Sequence, residues 1–427
     1  MERRAAFLAL KQIETEKTWS NLALSENLKG TGKTGAFARE MVYGILRNQI
    51  LLDHNIGRYL KKPRLKVSER ILLRMGFYQL CFMDSVKDHA AVNETVALAR
   101  TFAKGREGFI NAVLRSFIRD GKELVWPKLS EGFSEDELTE SLSVRYSAAP
   151  WIVRLWLEAY GREKTEELLS ACLAPAPLTV RVNRLKMTRD EAAEALNGLG
   201  FETEPCEMAP FGLKVRGSGL TETGLFKDGC ISVQGEASQL AVSILAPKAG
   251  ELMLDLCAAP GGKSCAAAEM MEDSGKVIAF ELHEARTALI RASSERLGLK
   301  SIEAVTADSS KPLAGYEGKA DCVLCDVPCS GLGVIRQKPE IKLSERPEGF
   351  DDLPRIQRDI LLSGISCLKP GGRLVYSTCT VDPAENGGVT SIIKDRPDLA
   401  VEEEHQFFQT PGGMDGFYIC LIRRQDC

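Results

Sequence analysis

LMLDLCAAPGGKSCAAAEMM, residues Leu252–Met271, reads as a short apolar strand, a turn of small residues and then a helix. The same rhythm recurs downstream. KVIAFE (276–281), IEAV (302–305), DCVLCDV (321–327) and GRLVYST (372–378) read as buried strands. EARTALIRASSERLG (284–298) and PRIQRDILLSGISCL (354–368) read as helices between them. Strand–helix alternation of this kind predicts an α/β, doubly wound, Rossmann-like domain, a parallel sheet with helices on both faces. In such sheets ligands bind beyond the C-terminal ends of the strands. The chemically distinctive residues fall at those ends.

CAAPGGKS comes close to the phosphate-cradling pattern G-x-x-x-x-G-K-[ST], but Cys257 stands where the first glycine is required. GTGKT around Lys33 fails in the same way, with Asn27 at that position. Nor does the loop match G-x-G-x-x-G. Small residues Ala258, Ala259, Gly261 and Gly262 still let backbone approach a ligand closely. Glu281 closes the next strand, where an acidic side chain can accept both hydroxyls of a ribose. Asp308, after IEAV, is placed to hold the amino group of an adenine. Together these describe a pocket for an adenosine without a polyphosphate tail, which S-adenosylmethionine fits better than ATP or NAD.

Two cysteines sit at strand ends, each followed at once by a turn: Cys329 in DVPCSGLG and Cys379 in YSTCTVDPAEN. Carbon 5 of cytosine is too electron-poor to be methylated directly. A thiolate adding to carbon 6 makes it nucleophilic, and a second thiol can help remove the proton whose loss lets the adduct break. Asp326, on the same rim, can hydrogen-bond the ring nitrogen as charge builds there. Cys322, Cys325 and Cys329 also form C-x-x-C-x-x-x-C, a pattern open to zinc or an iron–sulfur cluster. Cys322 and Cys325 are three apart on a strand, however, so their side chains face opposite sides of the sheet. We therefore expect no metal, and read Cys265, Cys322, Cys325 and Cys367 as small buried hydrophobes.

Composition is that of a globular chain, 44% hydrophobic and 27% charged over 427 residues, which is room for two or three domains. No run of about 18 apolar residues occurs, and MERRAAFLALKQIETEK lacks the apolar core of a signal segment, so a cytoplasmic protein is expected. Thirteen cysteines, an odd number, suit reduced thiols rather than a disulfide framework. Net charge is −4, but residues 1–125 carry 22 Lys+Arg against 13 Asp+Glu, a basic front on an acidic back. That front reads as helices in RRAAFLALKQI, FAREMVYGILRNQILLDHNI, SERILLRMGFYQLCFM and GFINAVLRSFIRD, with a basic cluster at Lys61, Lys62, Arg64 and Lys66. Residues 124–150 turn acidic and loop-like around Pro127 and read as a linker. Between about 150 and 235 the pattern is a small α+β module: helix WIVRLWLEAYG, strand PLTVRVN, a helix capped by Thr188, then short strands. Arg181, Asn183 and Arg184 there read equally as phosphate-backbone contacts or as a solvated strand end.

LDLCAAPGGKS, DVPCSGLGVIRQKPEIK, GGRLVYSTCTVDPAEN and DGFYICLIRR resemble the motifs of RNA cytosine carbon-5 methyltransferases. FAREMVYGILRN, ERILLRMGFYQL and GFINAVLR resemble the NusB-like helical RNA-binding domain. Together the chain resembles, over essentially its whole length, the RsmB (Sun/Fmu) family that methylates small-subunit (16S) ribosomal RNA. That resemblance implies three parts: a NusB-like domain over 1–125, a linker with the α+β module over 126–235, and the methyltransferase domain over 236–427. It implies Cys379 as nucleophile and Cys329 as the residue that assists release, with Asp326 and Lys263 beside them. S-adenosylmethionine would be held by Cys257, Ala258, Ala259, Pro260, Gly261, Gly262, Lys263, Glu281, Asp308 and Asp326. The expected partner is ribosomal RNA, free or in an early assembly state, with the protein a monomer and neither metal nor membrane involved. Val327 and Leu332 depart from the family's usual alanine and threonine, and Glu281 from its usual aspartate; none of these removes a reacting group.

Overall fold

The computed structural model describes residues 1–29, 35–61, 64–130 and 132–426. GTGKT around Lys33 and Lys62 of the basic cluster lie outside the described residues. The chain forms two compact units, Met1–Ala174 with Ile335–Pro347, and Pro175–Val334 with Glu348–Cys427. Among the described residues no helix is long and apolar enough to cross a membrane.

The first unit is helical. Glu2–Glu16, Ala36–Gly57, Val67–Phe82 and Glu107–Arg119 form where 3.6-residue periodicity predicts them, joined by Ser20–Leu28 and Asp88–Phe102. Their apolar stripes meet in one core containing Phe7, Met41, Ile45, Phe77, Leu114 and Phe117. Phe77 and Phe117 stack there with ring centroids 4.1 Å apart. Lys61, Arg64 and Lys66 are exposed between two of the helices, whereas Arg74 is buried and paired with Asp53 and Glu14. Within the acidic stretch read as a linker, Glu135–Tyr146 is a helix of 12 residues. Ser134 accepts from Glu137 N while Glu137 accepts from Ser134 N, a capping box that outweighs the polar composition. The next helix, Pro150–Ala171, is broken at Gly161 (φ 73°).

The second unit holds two sheets. β1 (Leu178–Val182), β2 (Glu202–Pro205), β3 (Gly212–Arg216) and β4 (Ile231–Val233) form a small antiparallel sheet in the order β2-β3-β1-β4. Helix Arg189–Gly198, capped by Thr188 as expected, packs on it. Here the reading of Arg181 is corrected: it is neither a phosphate contact nor solvated, but 5% exposed and ion-paired to the equally buried Glu269. Asn183 is buried too, donating to Gly229 O and accepting from Leu185 N. Only Arg184 is exposed, with its guanidinium over the Phe211 ring.

The large sheet contains β5 (Leu252–Asp255), β6 (Lys276–Glu281), β7 (Ile302–Thr306), β8 (Ala320–Asp326), β9 (Leu368–Thr378), β10 (Leu399–Phe407) and β11 (Phe417–Arg424). Its order is β10-β11-β9-β8-β5-β6-β7. β5 to β9 are parallel, as the alternating pattern predicts. β10 and β11 add an antiparallel edge, so the sheet is mixed rather than wholly parallel. Cys322 enters the core on one face, with Met253, Leu324 and helix Glu236–Leu245. Cys325 enters the other, with Val323, Tyr376 and helix Leu353–Cys367. The two therefore diverge, and Cys265, Cys322, Cys325 and Cys367 are all fully buried.

Candidate active site

Five parallel strands, β5 to β9, deliver the candidate residues to one edge. β5 ends at Asp255, after which Leu256 N bonds Leu324 O on β8 (3.0 Å) and Ala258 N bonds Phe280 O on β6 (2.8 Å). The turn closes through Gly261 N to Ala258 O at 2.7 Å and starts helix Gly262–Met270. Gly261 has φ 101°, and a Cβ there would lie 3.1 Å from the Ile290 backbone, so glycine is needed on both counts. Glu281, at the end of β6, is buried; it accepts from His283 N at 3.2 Å and pairs with Arg286 at 3.2 Å. Asp308, two residues beyond β7, is more open, and Ser310 with Lys311 holds its carboxyl below the usual range.

Register places the end of β8 beside the end of β9, with Asp326 opposite Ser377. Asp326 accepts from Ser377 Oγ and from Lys263 Nζ, each at 2.8 Å. Burial would depress the Lys263 ammonium, but the Asp326 charge and hydrogen bond, with smaller contributions from Cys379 and Asp255, raise it overall. Lys263 therefore stays cationic, its Nζ 5.5 Å from the Phe417 ring centroid. Three residues past Asp326 and one past Thr378, the half-buried sulfurs of Cys329 and Cys379 lie 3.3 Å apart. Their hydrogen bond, with burial and the Cys379 and Glu385 charges adding to it, pushes the Cys329 thiol well up.

Several supporting residues carried no assignment on sequence. Asp255 is fully buried and accepts from Ser264 Oγ at 2.6 Å. Burial first, and Asp326 second among the raising influences, push it up to about 7 against the pull of Ser264 and Lys263. Glu385 accepts from Ser330 N (2.9 Å) and Gln357 Nε2 (2.8 Å), and that same Gln357 nitrogen holds Pro328 O at 2.9 Å. Asn386 accepts from Thr378 Oγ1 at 2.6 Å and donates to Thr380 O at 3.2 Å. Both loops bearing thiols are thus fastened by adjacent residues of VDPAEN. The visible signal was two consecutive polar residues, Glu385 and Asn386, inside a motif already singled out. The loops also meet directly, since Gly333 N bonds Cys379 O (3.0 Å) and Gly416 N bonds Gly333 O (2.9 Å).

The model of the RsmB/F 16S rRNA methyltransferases matches residues 242–420, the NusB family residues 1–119, and the RsmF/B-like ferredoxin-like domain residues 149–220. The chain is 36% identical to the probable ribosomal RNA small subunit methyltransferase B of Bacillus subtilis (strain 168), covering 99% of this chain and 98% of that protein. It belongs to the ribosomal RNA small subunit methyltransferase B family. The Vibrio cholerae ribosomal RNA small subunit methyltransferase B is 34% identical over 99% of this chain and 97% of its own length. Among solved structures, that of PH0851 superposes with a TM-score of 0.80 at 26% identity, covering 99% of this chain and 98% of that one.

S-adenosylmethionine is the cofactor of this methyltransferase family, and the donor set suits it. The one lysine of the β5 loop is held by Asp326, not extended toward a phosphate. The strand ends instead present carboxylates, at Glu281, Asp308 and Asp326. Such a set favours a cationic sulfonium and a ribose over a polyphosphate.

Proposed function

We propose that this protein methylates carbon 5 of a cytosine in small-subunit ribosomal RNA through a covalent bond between Cys379 and carbon 6. The observation that carries the reading is the pair of sulfurs 3.3 Å apart, beside a carboxylate and a cation. The proposed divisions are a helical RNA-binding part over 1–125, an α+β module over 126–235 and the methyltransferase part over 236–427. Residues Cys257–Lys263, Glu281, Asp308 and Asp326 would hold S-adenosylmethionine.

The target base is unstacked into the site at a cost of roughly a few kcal/mol. A cation beside the Cys379 sulfur, the Lys263 ammonium, provides the setting in which a thiolate forms. That thiolate adds to carbon 6, and the electrons of the 5,6 double bond move toward the ring, leaving carbon 5 nucleophilic. Asp326 faces the ring nitrogen and hydrogen-bonds the proton that this nitrogen takes from solvent as the adduct forms and returns to solvent as the adduct breaks. S-adenosylmethionine, when bound, supplies the electrophilic methyl carbon that carbon 5 accepts. Cys329, after losing its own proton to solvent, then takes the proton from carbon 5. The electrons of that C–H bond rebuild the double bond, the carbon 6–sulfur bond breaks, and Cys379 leaves as thiolate. One proton is released per methyl transferred. A thiol with a raised pKa is a strong base once ionised, which suits Cys329 to this step.

The test is a denaturing gel of the Cys329→Ala protein with S-adenosylmethionine and a small-subunit ribosomal RNA transcript. A shifted band that persists in denaturant and disappears when Cys379 is also replaced is expected. A band that survives loss of Cys379 would sink the assignment of the nucleophile. A band formed with transfer RNA but not ribosomal RNA would keep the chemistry and move the substrate.

A further inference from the structure

The small sheet and the β5 loop are joined by one side chain. Arg181, on β1, directs Nε and Nη2 to the Glu269 carboxylate at 3.0 and 2.7 Å. Its Nη1 donates to Gly262 O at 2.8 Å and to Gln234 Oε1. Gly262 is the first residue of helix Gly262–Met270, and Glu269 lies in its last turn. Helical side chains lean toward the N-terminus, which brings the Glu269 carboxylate back within reach of the cation that grips Gly262. A carboxylate in the last turn opposes the helix dipole and, being buried, requires a partner. Gln234, which follows β4, completes the seat: its N bonds Thr179 O at 3.0 Å, and a Cβ on Gly262 would lie 3.7 Å from its Nε2. Gln239 closes the floor through Nε2 to Val180 O (3.3 Å) and Gln234 O (3.0 Å).

We propose that Arg181 is a positioning residue for the S-adenosylmethionine loop, so that the small α+β module sets donor affinity through it. The inference rests on the reading of Cys257–Lys263 as the donor loop. Gly262 lies between Gly261, which makes the turn, and Lys263, whose ammonium is committed to Asp326. Displacing the Gly262 carbonyl moves both. Arg181 is not free to take a phosphate, since it is 5% exposed and four of its five N–H donors are bonded within the fold.

Two variants remove the grip on Gly262 without leaving a buried charge alone. Arg181→Lys keeps an ion pair with Glu269, and Arg181→Met combined with Glu269→Met removes both charges. Glu269→Gln is the control, since it keeps the arginine's bond to Gly262. Equilibrium binding of S-adenosylmethionine by calorimetry, binding of a ribosomal RNA transcript, KM and kcat, and thermal unfolding are measured on the full chain. Donor affinity and donor KM are expected to worsen on the order of tenfold in both grip-removing variants. RNA affinity should hold within twofold, and Glu269→Gln should bind donor like the parent. Unchanged donor affinity in a folded Arg181→Lys protein would overturn the proposal. So would an equal loss in Glu269→Gln, which assigns the effect to the ion pair, or a loss confined to RNA binding. A parent protein that binds no S-adenosylmethionine would instead refute the donor-loop reading on which the proposal rests.

Discussion

At the scale of single residues, the site is an arrangement of charges and protons around a buried centre. Asp255 is its least expected member. Its pKa of about 7 lies roughly three units above the usual carboxylate value, and it is fully buried. A raised acid binds its proton more tightly folded than unfolded. Its stabilising contribution is therefore complete below about pH 4, declines as pH rises, and is gone above about pH 7. An amide in place of this carboxyl cannot ionise. The gain in unfolding free energy for Asp255→Asn over the parent should thus be larger at pH 8 than at pH 5, by roughly 2–3 kcal/mol. Denaturant unfolding at the two pH values measures it, and a gain independent of pH would show that Asp255 is not perturbed in this way. The thiols, Asp326 and Lys263 were legible because their motifs sit at strand ends. Asp255 was not, since an acid at the end of an apolar strand looks the same whether it faces ligand or core. Arg181 was misread because strand periodicity says which face a side chain takes, but not that Glu269, 88 residues away, meets it there.

At the scale of elements, the two loops bearing thiols act as one piece because they are pressed together at Gly333. A Cβ on that residue would lie 2.0 Å from Gly416 O and 2.8 Å from Cys379 O, both backbone atoms that cannot move aside. Gly333→Ala must push the Cys329 loop away from β9 and widen the gap between the sulfurs. If Cys329 serves release, the variant should turn over about a hundredfold more slowly, as for a misplacement near 1 Å. Its covalent RNA complex should also appear on a denaturing gel with Cys329 still present. Slow turnover with no trapped complex would place the defect before adduct formation instead. Strands and helices between residues 252 and 378 were legible from period and length. The antiparallel edge was not, because it is set by backbone pairing of β11 with β9 and β10, whose direction residue patterns do not show. Helix Glu135–Tyr146 was obscured for a different reason: its acidic density outweighed in reading a capping box that Ser134 and Glu137 spell out.

At the scale of the whole chain, the first compact unit is not continuous in sequence. It takes Ile335–Pro347 from within the stretch that encodes the large sheet. Charge signs explain how that segment is seated. Glu340 accepts from Ser20 N, at the start of helix Ser20–Leu28, at 2.8 Å. Lys342 donates to Tyr146 O, at the end of helix Glu135–Tyr146, and to Arg47 O, both at 2.8 Å. An anion meets a helix N-terminus and a cation a helix C-terminus, as the helix dipoles favour. Lys342 is fully buried, and burial pulls its ammonium down to about 7. Its neighbours in the chain also bond the unit, through Ala149 N to Lys342 O (2.6 Å) and Trp151 Nε1 to Ser344 O (2.8 Å). No sequence pattern announces this, because the partners lie roughly 190 to 320 positions away. A fragment ending at Ala174 should therefore lack part of its own core, and a synthetic peptide of residues 335–347 should bind it. At a hundredfold excess over its dissociation constant the peptide would add about 2.7 kcal/mol, raising the unfolding midpoint on the order of 5–10 °C. The same peptide carrying Lys342→Met leaves two buried carbonyls unpaired and should raise it far less. Equal shifts from both peptides would show that apolar packing, including Leu343 against the helical core, seats the segment without the lysine.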